Sequence, residues 1–246
     1  MVGKTISRQS AVPHIAVHLN AIDNKRHCST MPLSYINPEL FDAQPLSGGG
    51  YKYTLASRLG TMMLMIEEMF GERDPSYTIL GVEFGGDIPM IWYPGNRRHV
   101  AIRLTTSAAS YPQQACYQLA HEAVHLLAPS GGKNANNFEE GVATYFSAFY
   151  MRAFFPNYPN TVDVQSYARA VDLVSPRLKS DAYCIRRLRT KQPSFSLITP
   201  EDLTVEFPDL KSTEVEFLLS KFVRDPVKIP EQSSNNPDGS TATKPI

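Results

Sequence analysis

The chain has 246 residues, 42% hydrophobic and 20% charged, enough apolar material for one large domain or two small ones and too much for global disorder. Its 24 Lys and Arg balance its 24 Asp and Glu to a formal net charge of zero, so nothing in the charge favours nucleic acid or an anionic membrane as a partner. Its 3 cysteines, Cys28, Cys116 and Cys184, lie far apart with no C-x-x-C pair, which argues against a disulfide framework and a thiolate metal site.

Met1 to Ser10 is polar and carries no apolar signal core, and no apolar run is long enough to span a bilayer. We therefore expect no membrane span and, by default, a cytoplasmic location. Residues 1–50 read as an N-terminal extension, partly strand and partly irregular. His14 to Leu19 alternates, with Ile15, Val17 and Leu19 on one face, which predicts a strand. His14 and His18 then point the same way about 13 Å apart, too far for one ion. Ser47-Gly48-Gly49-Gly50 is a flexible joint.

Residues 51–224 are expected to form the main domain. Over Tyr51 to Phe70, Leu55, Leu59, Met62, Met63, Ile66 and Met69 recur at three- and four-residue steps, the period of a helix with one buried face. Gly71 fits the position just past its end. Three strand-like runs follow as a meander: Tyr77 to Phe84, Ile88 to Tyr93 and His99 to Thr106.

The next helix, Gln114 to Ala128, contains His121-Glu122-Ala123-Val124-His125, with Pro112 near its start and Pro129, Gly131 and Gly132 stopping it. Two histidines four apart project from one face, where two imidazoles can grip one ion, with Glu122 next in line to act on a water held by it. This is the helical zinc signature of metalloproteases. The helix is apolar nearly all round and so is buried; its polar groups then need partners, because burying them unpaired costs several kcal/mol. Cys116, five residues before His121, reads as core packing.

A catalytic zinc usually has three protein ligands and an open position for water. The metzincin pattern would put glycine and histidine three and six residues past His125, but Ala128 and Gly131 stand there. That leaves a glutamate on the following helix, Phe138 to Met151, where Glu139 and Glu140 compete. Asn136 with Glu139, and Asn137 with Glu140, each also read as a capping box, so one glutamate capping and the other binding metal is the economical arrangement.

The rest is helical. Val164, Tyr167, Ala168, Val171 and Val174 form one stripe; Leu178, Ala182, Ile185 and Leu188 form another after Pro176. Arg186, Arg187, Arg189 and Lys191 read as a solvated face. Thr199-Pro200-Glu201-Asp202 is a helix start, and Thr213 with Glu216 a capping box. From Asp225 to Ile246 we expect a disordered tail. The elements sum to an α+β fold, a small mixed or antiparallel sheet packed on the histidine helix, followed by a mainly helical C-terminal part.

On His121-Glu122-Ala123-Val124-His125 and the downstream Glu140-Gly141-Val142-Ala143, the chain resembles the gluzincin branch of the zincin metallopeptidases, over roughly residues 99–155. The resemblance implies a zincin-like fold, Zn2+ held by His121, His125 and Glu140 in preference to Glu139, Glu122 as general base, and a peptide or protein substrate. It also implies an oxyanion donor, for which Tyr145, Tyr167, Tyr183 and His99 are candidates, and a substrate strand pairing with the edge of His99 to Thr106. The link from His125 to Glu140 is shorter than in the aminopeptidases of that branch. No exopeptidase motif precedes His121, so amino-terminal trimming is not implied. Two other functions remain open: a zincin-like binding or scaffold protein without turnover, and a zinc hydrolase of a non-peptide bond. Glu122 argues against the scaffold, since metal binding alone does not need it.

Overall fold

The computed structural model describes residues 38–130, 134–159 and 165–224. The strand expected at His14 to Leu19, the tail from Asp225 and Cys28 lie outside them. Among the described residues, seven α-helices accompany one small three-stranded mixed sheet, and no helix is long and apolar enough to cross a membrane.

Helix α1 (Leu55–Phe70) begins where Thr54 and Ser57 exchange side chain and backbone in a capping box. The helix expected from Tyr51 is therefore four residues too long. Tyr51 instead bridges Pro45. Gly71 ends α1 at φ 92°, a conformation that a side chain at this position would resist.

The strands are β1 (Thr78–Phe84), β2 (Met90–Trp92) and β3 (His99–Leu104). Their order is β1-β3-β2, with β3 parallel to β1 and antiparallel to β2. This differs from the expected meander. The central place goes to β3, the most apolar strand, whose Val100, Ile102 and Leu104 are wholly buried and whose two backbone edges are both paired there. β2 is short because Pro89 and Pro94 flank it and cannot donate to a ladder.

A 3-10 turn, Thr106–Ser110, leads into α2 (Pro112–His125), with proline at the first helical position. α2 stops three residues before the expected Ala128. The N–H groups of Leu126 and Leu127 turn back to the carbonyls of Ala123 and Val124, and Asp74 N–H takes the Leu127 carbonyl at 2.7 Å. Every residue from Gln118 to Leu127 is buried, between α1, α3 and β3.

Helix α3 (Asn137–Phe154) packs along α2 on one side and α4 (Gln165–Ser180) on the other. α4 does not break at Pro176 as expected. Ala170, Val174 and Leu178, each buried and four apart, carry one stripe straight across the exposed proline. Helices α5 (Cys184–Lys191), α6 (Pro200–Glu206) and α7 (Ser212–Leu219) close the base. On α5, Arg187 pairs with Asp181 and Glu206 at the surface. Arg189 departs from the expected solvated face. It is buried and donates to the carbonyls of Phe70, Gly71 and Glu72 at 2.8, 2.8 and 3.0 Å, capping the end of α1. α6 starts where expected, and Thr199 and Asp202 close a capping box there. α7 starts earlier than expected, because Glu214, not Glu216, accepts from the Lys211 N–H at 2.9 Å. A short strap, residues 220–224, follows.

The α3–α4 contact is tight at Gly141, where an added Cβ would stand 2.9 Å from the Ala170 carbonyl oxygen and 3.0 Å from Val174 Cγ2. Backbone cannot yield as a side-chain tip can. Gly141→Ala should therefore cost about 1–3 kcal/mol, through overpacking, read as a lowered urea midpoint. A stability equal to or above that of the parent chain would show the helices to be separable here.

Candidate metal centre

α2 carries His121 and His125 one turn apart, with ring centroids 5.3 Å from each other. Opposite them is the first turn of α3. The Asn136 side chain accepts from Glu139 N–H at 2.9 Å and starts the helix, which puts both Glu139 and Glu140 at its positive end. Glu140 Oε2 lies 3.0 Å from His121 Nε2, and its Oε1 lies 3.8 Å from His125 Nε2. Glu139 Oε1 lies 2.7 Å from His125 Nδ1. The structure thus brings His121, His125 and Glu140 together, with one ligand atom of each within 4.8 Å of the others.

Neither glutamate closes a capping box, contrary to expectation. Glu139 turns its carboxylate to the buried imidazole of His125, and Asn137 gives its amide to Phe217 and Ser220 instead. A carboxylate on Nδ1 holds a proton on that nitrogen, so Nε2, which faces Glu140, is the nitrogen that could give up its proton to a metal. Two imidazole nitrogens and one carboxylate oxygen are donors that suit zinc.

Glu122, Glu139 and Glu140 are all buried within this small volume. Burial lifts the Glu122 carboxyl above the usual range against the pull of His125 and His121. Burial opposes charge on Glu140 too, but there the histidines win and hold it below that range. Burial also opposes charge on His125, yet Glu140, Glu139 and Glu122 outweigh it and push that imidazole up to about 10. The cluster draws positive charge.

A cavity of about 200 Å³ opens over the cluster, walled by Ile88 to Ile91, by Tyr167 of α4 and by Phe222 and Arg224 of the strap. A second, of about 270 Å³, adjoins it at His121 and Glu122. The Thr144 hydroxyl, buried and without a hydrogen-bond partner among the described residues, stands at its wall. No described donor binds Glu122, which borders both cavities. The larger void between the end of α1 and α5, about 690 Å³, contains none of these residues.

Of the four expected oxyanion donors, only Tyr167 borders these two cavities, with its ring edge-on to His121 at 5.4 Å. Burial, then Glu140, raises its phenol, so it stays a donor. Tyr145 stacks on Phe149, Tyr183 is exposed at the start of α5, and His99 lies beside Asn96. The expected pairing edge is also displaced. β3 is central, with neither edge free, and the strand that borders the cavity with an unpaired edge among the described residues is β2. Arg224 and Phe222 are invisible to a motif reading, because no local pattern points from residue 222 to His121.

Searches against family models, curated proteins and solved structures each return no match for this chain.

The geometry separates the two glutamates. Glu139→Ala should loosen a bound divalent metal by about 10–100-fold, the usual effect of losing a histidine's carboxylate partner, whereas Glu140→Ala should abolish stoichiometric binding. Zinc titration against a chromophoric chelator reads both; equal losses would overturn the assignment.

Proposed function

We propose that the chain is a zinc-dependent hydrolase of zincin-like architecture, most simply a peptidase. One observation carries this reading: His121, His125 and Glu140 converge within 4.8 Å while the unengaged Glu122 carboxylate opens onto the same cavity. Bound there, Zn2+ would acidify a water and polarise a carbonyl.

The remaining chemistry belongs to the chain. Glu122, already shifted toward protonation by burial, takes a proton from the attacking water and hands it to the leaving group. Glu139 holds His125 in one tautomer and orientation. The Tyr167 phenol donates to the oxygen on which charge develops. The free edge of β2 supports an extended substrate by strand addition, in place of β3. The walls Ile88 to Ile91 and Phe222 exclude water from the reacting atoms.

Metal analysis and one isosteric change test the reading. Protein purified without chelators should carry zinc near one per chain. Glu122→Gln should keep that zinc and lose about 10²–10⁴-fold in turnover of a broad peptide library. Absence of stoichiometric zinc would end the metal reading. Zinc retained with no hydrolysis by either form would favour the zincin-like scaffold, and activity only on esters or amides outside peptides would favour the non-peptide hydrolase.

A further inference from the structure

Arg224 is positioned by an arrangement that the chemistry above does not use. The strap that carries it is tied to the entrance of α3. Asn137 N–H donates to the Ser220 carbonyl at 3.1 Å, Asn136 and Lys221 form a bridge, and Phe222 N–H donates to the Ala135 carbonyl at 2.9 Å. Phe222 then stacks on Tyr167 with ring centroids 4.8 Å apart. The same short stretch that presents Glu139 and Glu140 therefore also fixes the last turn of the strap.

At its end the Arg224 guanidinium sits 5.9 Å above the Tyr167 ring. Among the described residues it makes no ion pair or hydrogen bond, and its buried Nε is without a partner. Yet it borders three cavities: the one over the metal cluster, the one beside Glu122 and Thr144, and an apolar groove of about 690 Å³ past Ile88, Met90 and Val223. A cation with unused donors at the meeting point of three cavities is placed to meet a ligand. Guanidinium matches a carboxylate with two parallel N–H···O bonds.

Among the described residues, other arginines near the surface clefts have partners, and although Arg177 Nε and Trp92 Nε1 are also buried without one, neither residue borders the cavities over the cluster. Arg189 spends its donors on backbone carbonyls, Arg187 on Asp181 and Glu206, and Arg103 on Glu83. Cys116 and Cys184 are buried, and burial raises both thiols to about 11, which leaves them unreactive.

We propose that Arg224 is a specificity-determining residue that receives a carboxylate of the substrate close to the bond that is broken, so that the site selects peptides with a negative group there. This rests on the hydrolase reading of the His121–His125–Glu140 centre. The carboxylate comes either from the peptide's own C-terminus or from an Asp or Glu side chain. The bound carboxylate lies against the Tyr167–Arg224 wall, and the apolar flank of the adjoining residue enters the Ile88–Met90 groove.

Binding, not turnover, tests this. Zinc-loaded Glu122→Gln protein is titrated with fluorescent hexapeptides in three forms: free acid, C-terminal amide, and amide with one internal Asp or Glu. Free acid or acidic amide should bind about 10–100-fold tighter than neutral amide, the worth of a charge-assisted bond. Adding Arg224→Ala should erase that difference while neutral-amide binding and zinc content stay unchanged, and Arg224→Lys should restore part of it. A preference for the free acid alone assigns the carboxylate to the chain terminus; a preference for the acidic amide assigns it to a side chain. If no charged form binds better than the neutral amide, or if Arg224→Ala weakens all forms alike, the proposal falls. Because the host is turnover-deficient by design and its zinc content is measured beforehand, loss of the hydrolase reading shows as missing zinc or missing turnover, and loss of this proposal shows as missing charge preference in zinc-loaded protein.

Discussion

Three carboxylates buried together between two helices set the terms for the rest of the structure. Glu122, Glu139 and Glu140 share a space from which water is largely excluded, and such charges persist only when each has a compensating partner. The compensation is distributed. The start of α3 contributes its positive end to Glu139 and Glu140, the two imidazoles of α2 take one oxygen from each, and Arg224 adds a cation at the rim. Among the described residues Glu139 Oε2 has no hydrogen-bond partner and Glu122 accepts no hydrogen bond, so the compensation there is only partial. Under the reading proposed above, a divalent cation between the two helices would complete it.

The neighbouring helices serve that arrangement by bringing walls close. α4 reaches the site because Gly141, next to Glu140, has no side chain to hold it off, and its approach delivers Tyr167 to His121. Arg189 plays the corresponding part on the far side. By closing the carbonyl end of α1 it lets α5 pack where an uncapped helix terminus would otherwise need water. Small and long side chains thus act toward one end, a dry layer around a polar cluster.

What the sequence revealed follows a physical divide. His121 and His125 were legible because helical period alone puts residues four apart on one face, and their buried setting followed from the apolar helix around them. The helix starts at Thr199 and Pro112 were legible for the same local reason. The roles of Glu139 and Glu140 were half legible. Their position at a helix start is local, but capping and pairing with a neighbouring helix share one sequence pattern, and only the approach of α2 shows that both carboxylates turn to the histidines. Strand order was not legible, since three runs in succession fit a meander as well as the β1-β3-β2 sheet, and the choice depends on which strand the core needs most. Arg224 was out of reach because it joins the site through a strap more than eighty residues from the helix start that anchors it; the Asn137–Ser220 contact spans 83 positions.

That anchoring also orders events in time. Joining Ser220 to Asn137 closes a long loop, and a contact of such separation is made only after the intervening helices have shortened the path between its ends. α2 and α3 are neighbours in sequence, so bringing the histidines and glutamates together closes a far shorter loop than docking the strap does. A chain in which those two helices had paired while residues 220–224 were not yet docked would hold His121, His125 and Glu140 together with one wall of the cleft missing. The complete cavity, with Phe222 on Tyr167 and Arg224 at its mouth, exists only once residues 220–224 have been made and have docked.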